Sequence, residues 1–188
     1  MHIESSTGRE TISIEKLKES DKVLVVDASG AVHYEPVIVL DLHKVDINAS
    51  IVSIATASGK SISLTSDHMV IVHVGLETEL VPAGKVQPGM QIEVVDELGF
   101  EKRALTEVVS VDLVDQNSIE GLANVLTASE TIVVNGIVGS VLTESCAVRP
   151  ARKLLKAVNS IMGTRVARST YRLMEWALNN NYLTRVTI

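Results

Sequence analysis

The chain has 188 residues, 46% of them apolar, with a mean hydropathy of +0.26 and a net charge of −6, a profile that excludes a disordered chain and suits a folded globular one. No apolar run approaches the roughly 18 residues of a membrane span, and Met1 to Gly8 lacks the basic and apolar regions of a secretory signal, so a soluble chain is expected. The single cysteine, Cys146, excludes an internal disulfide or a multi-thiolate zinc site, and no cofactor or metal is expected.

Aromatic residues make up only 3% of the chain, so the core must be aliphatic. Through the first three quarters, Val, Ile and Leu occur in short runs bounded by Gly, Asp, Asn and Ser, which predicts many short strands. Ser5, Ser6 and Thr7 beside Gly8 read as a turn. KLKESDKVLVVDASG (Lys16 to Gly30) then reads as a strand ending in an Asp/Gly turn.

That segment occurs twice. It aligns without gaps on KVQPGMQIEVVDELG (Lys85 to Gly99), VIVLDL (Val37 to Leu42) falls on VVSVDL (Val108 to Leu113) after a shift of two, and TASGKSIS (Thr56 to Ser63) falls on TASETIVV (Thr127 to Val134). Two copies of one strand-rich unit are predicted, over about residues 15–74 and 84–142, packed or interleaved about a pseudo-two-fold axis. Asp41 and Asp112 fall at matching positions, which favours a shared structural task such as an end-of-strand turn. His43 lies on the same strand face as Asp41 and reads as a surface histidine.

The copies differ at LTSDHMVIV (Leu64 to Val72). Leu64 to His68 aligns with Asn135 to Gly139, so Thr65 and His68 have no counterpart. A residue the scaffold requires should tend to recur in both halves, whereas chemistry needs it in one. Thr65 and His68 are therefore the leading functional candidates, against the plain reading of a core histidine.

Thr-x-x-His in the first half of a duplicated β unit resembles the Hint domain shared by Hedgehog autoprocessing domains and inteins. ISIEKLKESDKVLVVDASGAVHY resembles its opening hairpin, SLTSDHMVIV its Thr-x-x-His block, VPAGKVQPGMQIEVV its central segment, and NVLTASETIVVNGIVGSV its last strands, in a form closer to Hedgehog-type domains than to inteins. The resemblance covers about residues 3–142. It implies a mostly β fold of two pseudo-two-fold-related subdomains that cleaves its own precursor: a cysteine at the start of the domain attacks the carbonyl before it, and a second nucleophile, a sterol in Hedgehog proteins, takes the acyl group from the thioester. An amide is a poor acyl donor, so it must be held, distorted and protonated at its leaving nitrogen. By resemblance His68 protonates that nitrogen, as its near-neutral pKa allows, Thr65 positions the amide, and Asp41 activates the second nucleophile. A secretory or extracellular precursor is implied in the same way.

Two features depart from the family pattern. His2-Ile3-Glu4 corresponds to the first strand, which puts the family cysteine a few residues upstream of Met1. Without it the chain is expected to be inactive. A second family cysteine, from the Ala-Ser-Cys of the last strand, aligns with Val141 in Gly139-Ser140-Val141, and Cys146 reads as a small buried or linker thiol.

The C-terminal segment carries its own charge. From Arg149 onward eight basic residues face one acid, Glu175, giving +7 against −13 for the preceding 148 residues. A boundary near Pro150 follows, with a Hint-like domain over residues 1–148 and a basic helical extension over 149–188. Pro150 opens a first helix, with Leu154, Leu155, Val158, Ile161 and Met162 as its apolar stripe and Gly163 as its stop. Thr164 caps a second, with Val166, Leu173, Met174, Ala177 and Leu178 apolar and Arg165, Arg168 and Arg172 facing solvent. This hairpin either docks on the acidic β domain, the favoured reading, or serves a lipid or sterol acceptor at a membrane. No nucleic-acid partner is expected from an acidic domain without aromatic interleaving. The chain is read as a monomer whose cis substrate is its own preceding segment. The alternatives are a nucleophile-less Hint module acting as a protein- or lipid-binding scaffold, and a duplicated β structural protein without chemistry.

Overall fold

A computed structural model describes residues 1–5, 8–19, 21–43, 50–96, 102–115, 121–143 and 157–179. The described residues form fourteen strands followed by helical structure. The strands are β1 (His2–Ser5), β2 (Gly8–Thr11), β3 (Lys22–Val26), β4 (Val32–Pro36), β5 (Val39–His43), β6 (Ile51–Thr56), β7 (Ser61–Thr65), β8 (Met69–Val74), β9 (Glu77–Pro82), β10 (Gln91–Val95), β11 (Arg103–Leu113), β12 (Leu122–Leu126), β13 (Thr131–Val134) and β14 (Ile137–Ser140). Residues 157–162 are helical (α1), and α2 spans Thr164–Asn179.

The corresponding segments of the two copies fold alike. A 3₁₀ turn ending at Lys16 leads into β3, and one ending at Lys85 leads into β10. The Thr56 hydroxyl donates to Lys60 O at 2.9 Å and the Thr127 hydroxyl to Thr131 O at 2.8 Å, closing equivalent turns. Gly59 (φ +79°) and Glu130 (φ +62°) occupy the same left-handed position in those turns. The Asp27 turn works as its sequence requires: Oδ1 accepts the Ser29 and Ala31 N–H groups at 2.8 and 3.0 Å, and Gly30 sits at φ +86°. Ser5 pairs with Gly8 to close the β1–β2 hairpin.

Between these shared parts the copies exchange strands. VIVLDL supplies β5, which pairs with β12 of the second copy, Asp41 opposite Asn124. VVSVDL supplies the end of β11, which pairs with β6 of the first copy, Asp112 opposite Ser53. Both aspartates therefore lie within paired strands rather than at an end-of-strand turn, because the strand each occupies crosses to the other copy. Three sheets result: β2-β1-β3-β4, the two-stranded β12-β5, and an eight-stranded sheet containing β13-β14-β10-β11-β6-β7 with β8 and β9. Their inner faces bury an almost wholly aliphatic core. Val52, Ile54, Val72, Ile92, Val108 and Ile137 form its largest part, and Met1, Ile3, Val23, Val25, Val37 and Val125 a second.

Gly163 ends α1 in the left-handed conformation (φ +84°), its N–H reaching Asn159 O at 3.0 Å. The same glycine starts α2: its carbonyl accepts Ala167 N–H at 3.2 Å, so Gly163 rather than Thr164 holds the cap position and Thr164 is the first helical residue. The first stripe is partly corrected as well. Val158 packs inward, but Ile161 and Met162 are 82% and 63% exposed, while Leu154 and Leu155 lie outside the described residues. The second helix packs through Ala167, fully buried beside Ile38 and Val39, and through Tyr171, with Val166 exposed. Arg168 belongs to this docked face, not to solvent. Its Nε donates to Ile38 O at 3.2 Å and its Nη2 to Val37 O at 2.5 Å and to Glu19 O. One turn on, Arg172 pairs with Glu19 at 2.8 Å. The helix is thus held by an arginine that satisfies main-chain carbonyls, a use of its fan of donors that no apolar stripe reveals. No helix among the described residues is long and apolar enough to cross a membrane.

Candidate functional site

Thr65 ends β7 and His68 immediately precedes β8. The spacing of three is that of a β-turn, closed by His68 N–H to Thr65 O at 2.9 Å with Ser66 and Asp67 at its corners. Three of its other main-chain groups are taken up from outside. Ser66 N–H donates to Ser50 O, Gly84 N–H to Ser66 O, and Ala83 N–H to His68 O, at 2.8, 2.8 and 2.7 Å. Gly84 approaches so closely that a Cβ there would lie 3.1 Å from Ser66 Cβ. A turn with its backbone groups satisfied in this way is a rigid mount for two side chains.

The second copy has no room for such a mount. At the aligned position, Asn135 (φ +51°) and Gly136 (φ +73°) form a two-residue loop joining β13 to β14, with Val134 opposite Ile137. Both central residues have positive φ, the signature of a type I′ hairpin. The one-sidedness of Thr65 and His68 is therefore a difference between a β-turn joining two strands that do not pair with each other and a minimal hairpin.

His68 is half-buried, and its ring is anchored to the end of β14: Nε2 lies 2.8 Å from Ser140 O. A carbonyl oxygen only accepts, so Nε2 carries the proton and the neutral ring presents Nδ1 as its basic nitrogen. Among the described residues no group engages Nδ1 or the Thr65 hydroxyl. Burial pushes the His68 pKa below its ordinary 6.5, opposed by the hydrogen bond to Ser140 and by the charge of Asp67. His68 is consequently neutral at neutral pH, and a stronger acid than free imidazole once protonated.

Around the ring, the β8 start and the β14 end are joined by several bonds. Met69 N–H donates to Leu142 O at 2.8 Å, His68 bridges to Thr143, and the Ser140 hydroxyl donates to Met69 O at 2.5 Å while accepting Leu142 N–H at 3.1 Å. Ser140 is a partner that sequence reasoning did not single out; a serine in the strand next to the divergent Val141 was its only trace. Val141 packs against the core cluster to which Met1 and Ile3 also belong, so the short segment that holds the His68 turn shares a core with the first strand.

Asp41 lies elsewhere in the fold, at the centre of β5 in the two-stranded sheet, with His43 two positions on opposite Leu122. That strand runs beneath α2: Ile38, Val39 and Leu40 with Glu19, Arg168, Tyr171 and Arg172 line a cleft of about 100 Å³. Cys146 lies outside the described residues. Among the described residues no group of His, Cys, Asp and Glu is arranged to hold a metal ion.

Comparison with known proteins agrees with this architecture. Several solved structures are similar to the chain. They include an intein from a hyperthermophile (14% identity, TM-score 0.64, covering 74% of this chain and 94% of that one) and a DnaB intein from Synechocystis sp. PCC 6803 (12%, 0.59, 74% and 92%). A third is a bacterial intein-like domain from Clostridium thermocellum (22%, 0.55, 74% and 93%). At these identities the likeness is one of fold. No curated protein matches. A family model described as the Hint module matches residues 3–178, from β1 into α2, and the chain belongs to the Hint module family.

Proposed function

We propose that this module cleaves the bond joining it to a preceding segment of its own precursor, by an N-to-S acyl shift. The observation that carries the reading is the held imidazole: His68 spends Nε2 on Ser140 O and keeps Nδ1 for chemistry, on a turn that also presents the Thr65 hydroxyl. A cysteine thiol in the segment before Met1 supplies the nucleophile. Its sulfur bonds to the carbonyl carbon of the residue ahead while that carbon's bond to nitrogen breaks. Neutral His68 takes the thiol proton at Nδ1 and delivers it to the departing amine, and the lowered pKa suits both halves of that transfer. Thr65 holds the scissile amide by a hydrogen bond. The contact of Val141 with the Met1 cluster supports the entry of such a segment beside His68.

The resulting thioester passes its acyl group to water, a thiol or a lipid alcohol, with Asp41 as the base for that second nucleophile, in the manner of Hedgehog-type members. The docking of α2 over β5 supports an acceptor brought by residues 149–188 to the strand that carries Asp41. The test is a fusion with a reporter and a cysteine ahead of Met1, followed for fragment release with and without dithiothreitol. Thiol-dependent release that disappears in His68→Ala is expected. A folded fusion that releases nothing, or releases equally in the alanine variant, would favour the nucleophile-less binding scaffold instead.

A further inference from the structure

Ser140 is 3% exposed, and its hydroxyl and carbonyl are both committed at one junction. The hydroxyl donates to Met69 O and accepts from Leu142 N–H, and its own carbonyl accepts the His68 ring. It stands where β14 leaves its pairing with β13, Thr131 being its last partner. The planar peptide that carries the Ser140 carbonyl is held on the β13 side by Val141 N–H to Glu130 O at 3.0 Å. The hydroxyl adds the tie on the other side, joining the strand end to the residue that follows His68. An apolar residue here would leave Met69 O and Leu142 N–H without this partner in a buried place, and the segment would shift to satisfy them.

We infer that Ser140 is a positioning residue for His68: its hydroxyl clamps the end of β14 so that the Ser140 carbonyl holds the imidazole with its proton on Nε2 and its basic Nδ1 facing outward. The consequence for cleavage rests on the processing function proposed above; the geometry does not. Because Met69 belongs to the first copy and Ser140 to the second, the clamp also makes the orientation of the imidazole depend on how the two copies are seated.

The ring tautomer is read directly by nitrogen-15 NMR of histidine-labelled protein, which needs no cleavage. The unmodified chain should show Nε2–H at His68. In Ser140→Ala the spectrum should change to a mixture of tautomers, and Ser140→Thr, which keeps the hydroxyl, should recover Nε2–H. In the cysteine fusion, release should slow about 10- to 100-fold in the alanine variant, as for a reacting group displaced by an ångström, and recover in the threonine variant. A Nδ1–H tautomer in the unmodified chain overturns the inference whether or not any variant folds. So does an alanine variant that keeps the Nε2–H ring and full release. If the fusion is silent while the tautomer responds to the hydroxyl, the processing reading fails and the positioning role stands.

Discussion

Replacing Arg168 by leucine tests what holds the C-terminal helix. Leucine retains an apolar stem against Ile38, Val39 and Tyr171 while removing the guanidinium that reaches the carbonyls of Glu19, Val37 and Ile38. Val37 and Ile38 are fully buried, so their carbonyls lose a charged donor with little access for replacement water. A hydrogen bond to a charged donor contributes about 1.5–3 kcal/mol, and two such bonds, discounted because the arginine itself is half-exposed, give about 2–4 kcal/mol. Urea unfolding followed by circular dichroism reads the total. Amide exchange locates it, with faster exchange in α2 and preserved protection in β6. Arg168→Lys should recover only part, since one ammonium cannot span three carbonyls as a planar fork does. A loss below about 0.5 kcal/mol, with α2 protection unchanged, would show that the helix is held by Ala167 and its apolar neighbours alone and refute the reasoning.

Two further outcomes follow from single positions. Gly30→Ala places a Cβ at φ +86°, 2.3 Å from Arg103 Nη2, and should cost about 1–2 kcal/mol through backbone strain while displacing Arg103 from its 2.8 Å contact with Glu93; a thermal melt that matches the parent removes the strain argument. The folded-state pKa of His68 lies below 6.5, so between the two values the unfolded chain binds the proton more readily, and stability falls as pH drops through that window and levels off beneath it. His68→Gln should flatten that dependence in denaturation curves taken from pH 8 to pH 5, and a variant curve parallel to the parent's would contradict it.

Much of the fold was legible because duplication leaves a trace that single strands do not. Short aliphatic runs identify strands only weakly, but Lys16 to Gly30 and Lys85 to Gly99 share an alignment that marks the start and the strand together, and both segments adopt them. Asp41 and Asp112 were misplaced for a physical reason. Matching positions in the two repeats point to a shared structural task but not to which one, while a strand lent to the other copy is decided by pairing over a long stretch of chain. Arg168 was hidden in the same way. Helical periodicity assigns arginine to the wet face, and only the main-chain carbonyls of Val37 and Ile38, between β4 and β5, make it an anchor. Thr65 and His68 could be picked out by their asymmetry, but Ser140 could not, since its task depends on a carbonyl direction and a contact spanning 71 residues.

The exchange of strands explains why a site composed of one copy's residues needs both copies. Thr65 pairs with Ile51 on β6, and β6 is held on its other side by the end of β11, a strand lent by the second copy. His68 is held by Ser140, which ends the second copy's last hairpin, and by Thr143 just beyond it. The two candidate side chains therefore sit on one turn, but each is oriented by a different part of the other repeat. Had the copies packed side by side without exchange, the turn would rest on its own hairpin and could shift while the second copy stayed intact. With the exchange, moving the turn requires breaking the β6–β11 ladder or the β14 clamp, each rooted among aliphatic side chains that are almost fully buried. Such a mount suits the role proposed for the imidazole, which brings it to an amide nitrogen and a thiol in one geometry: positional tolerance in that chemistry is below an ångström, and the exchanged strands supply stiffness that neither repeat has alone.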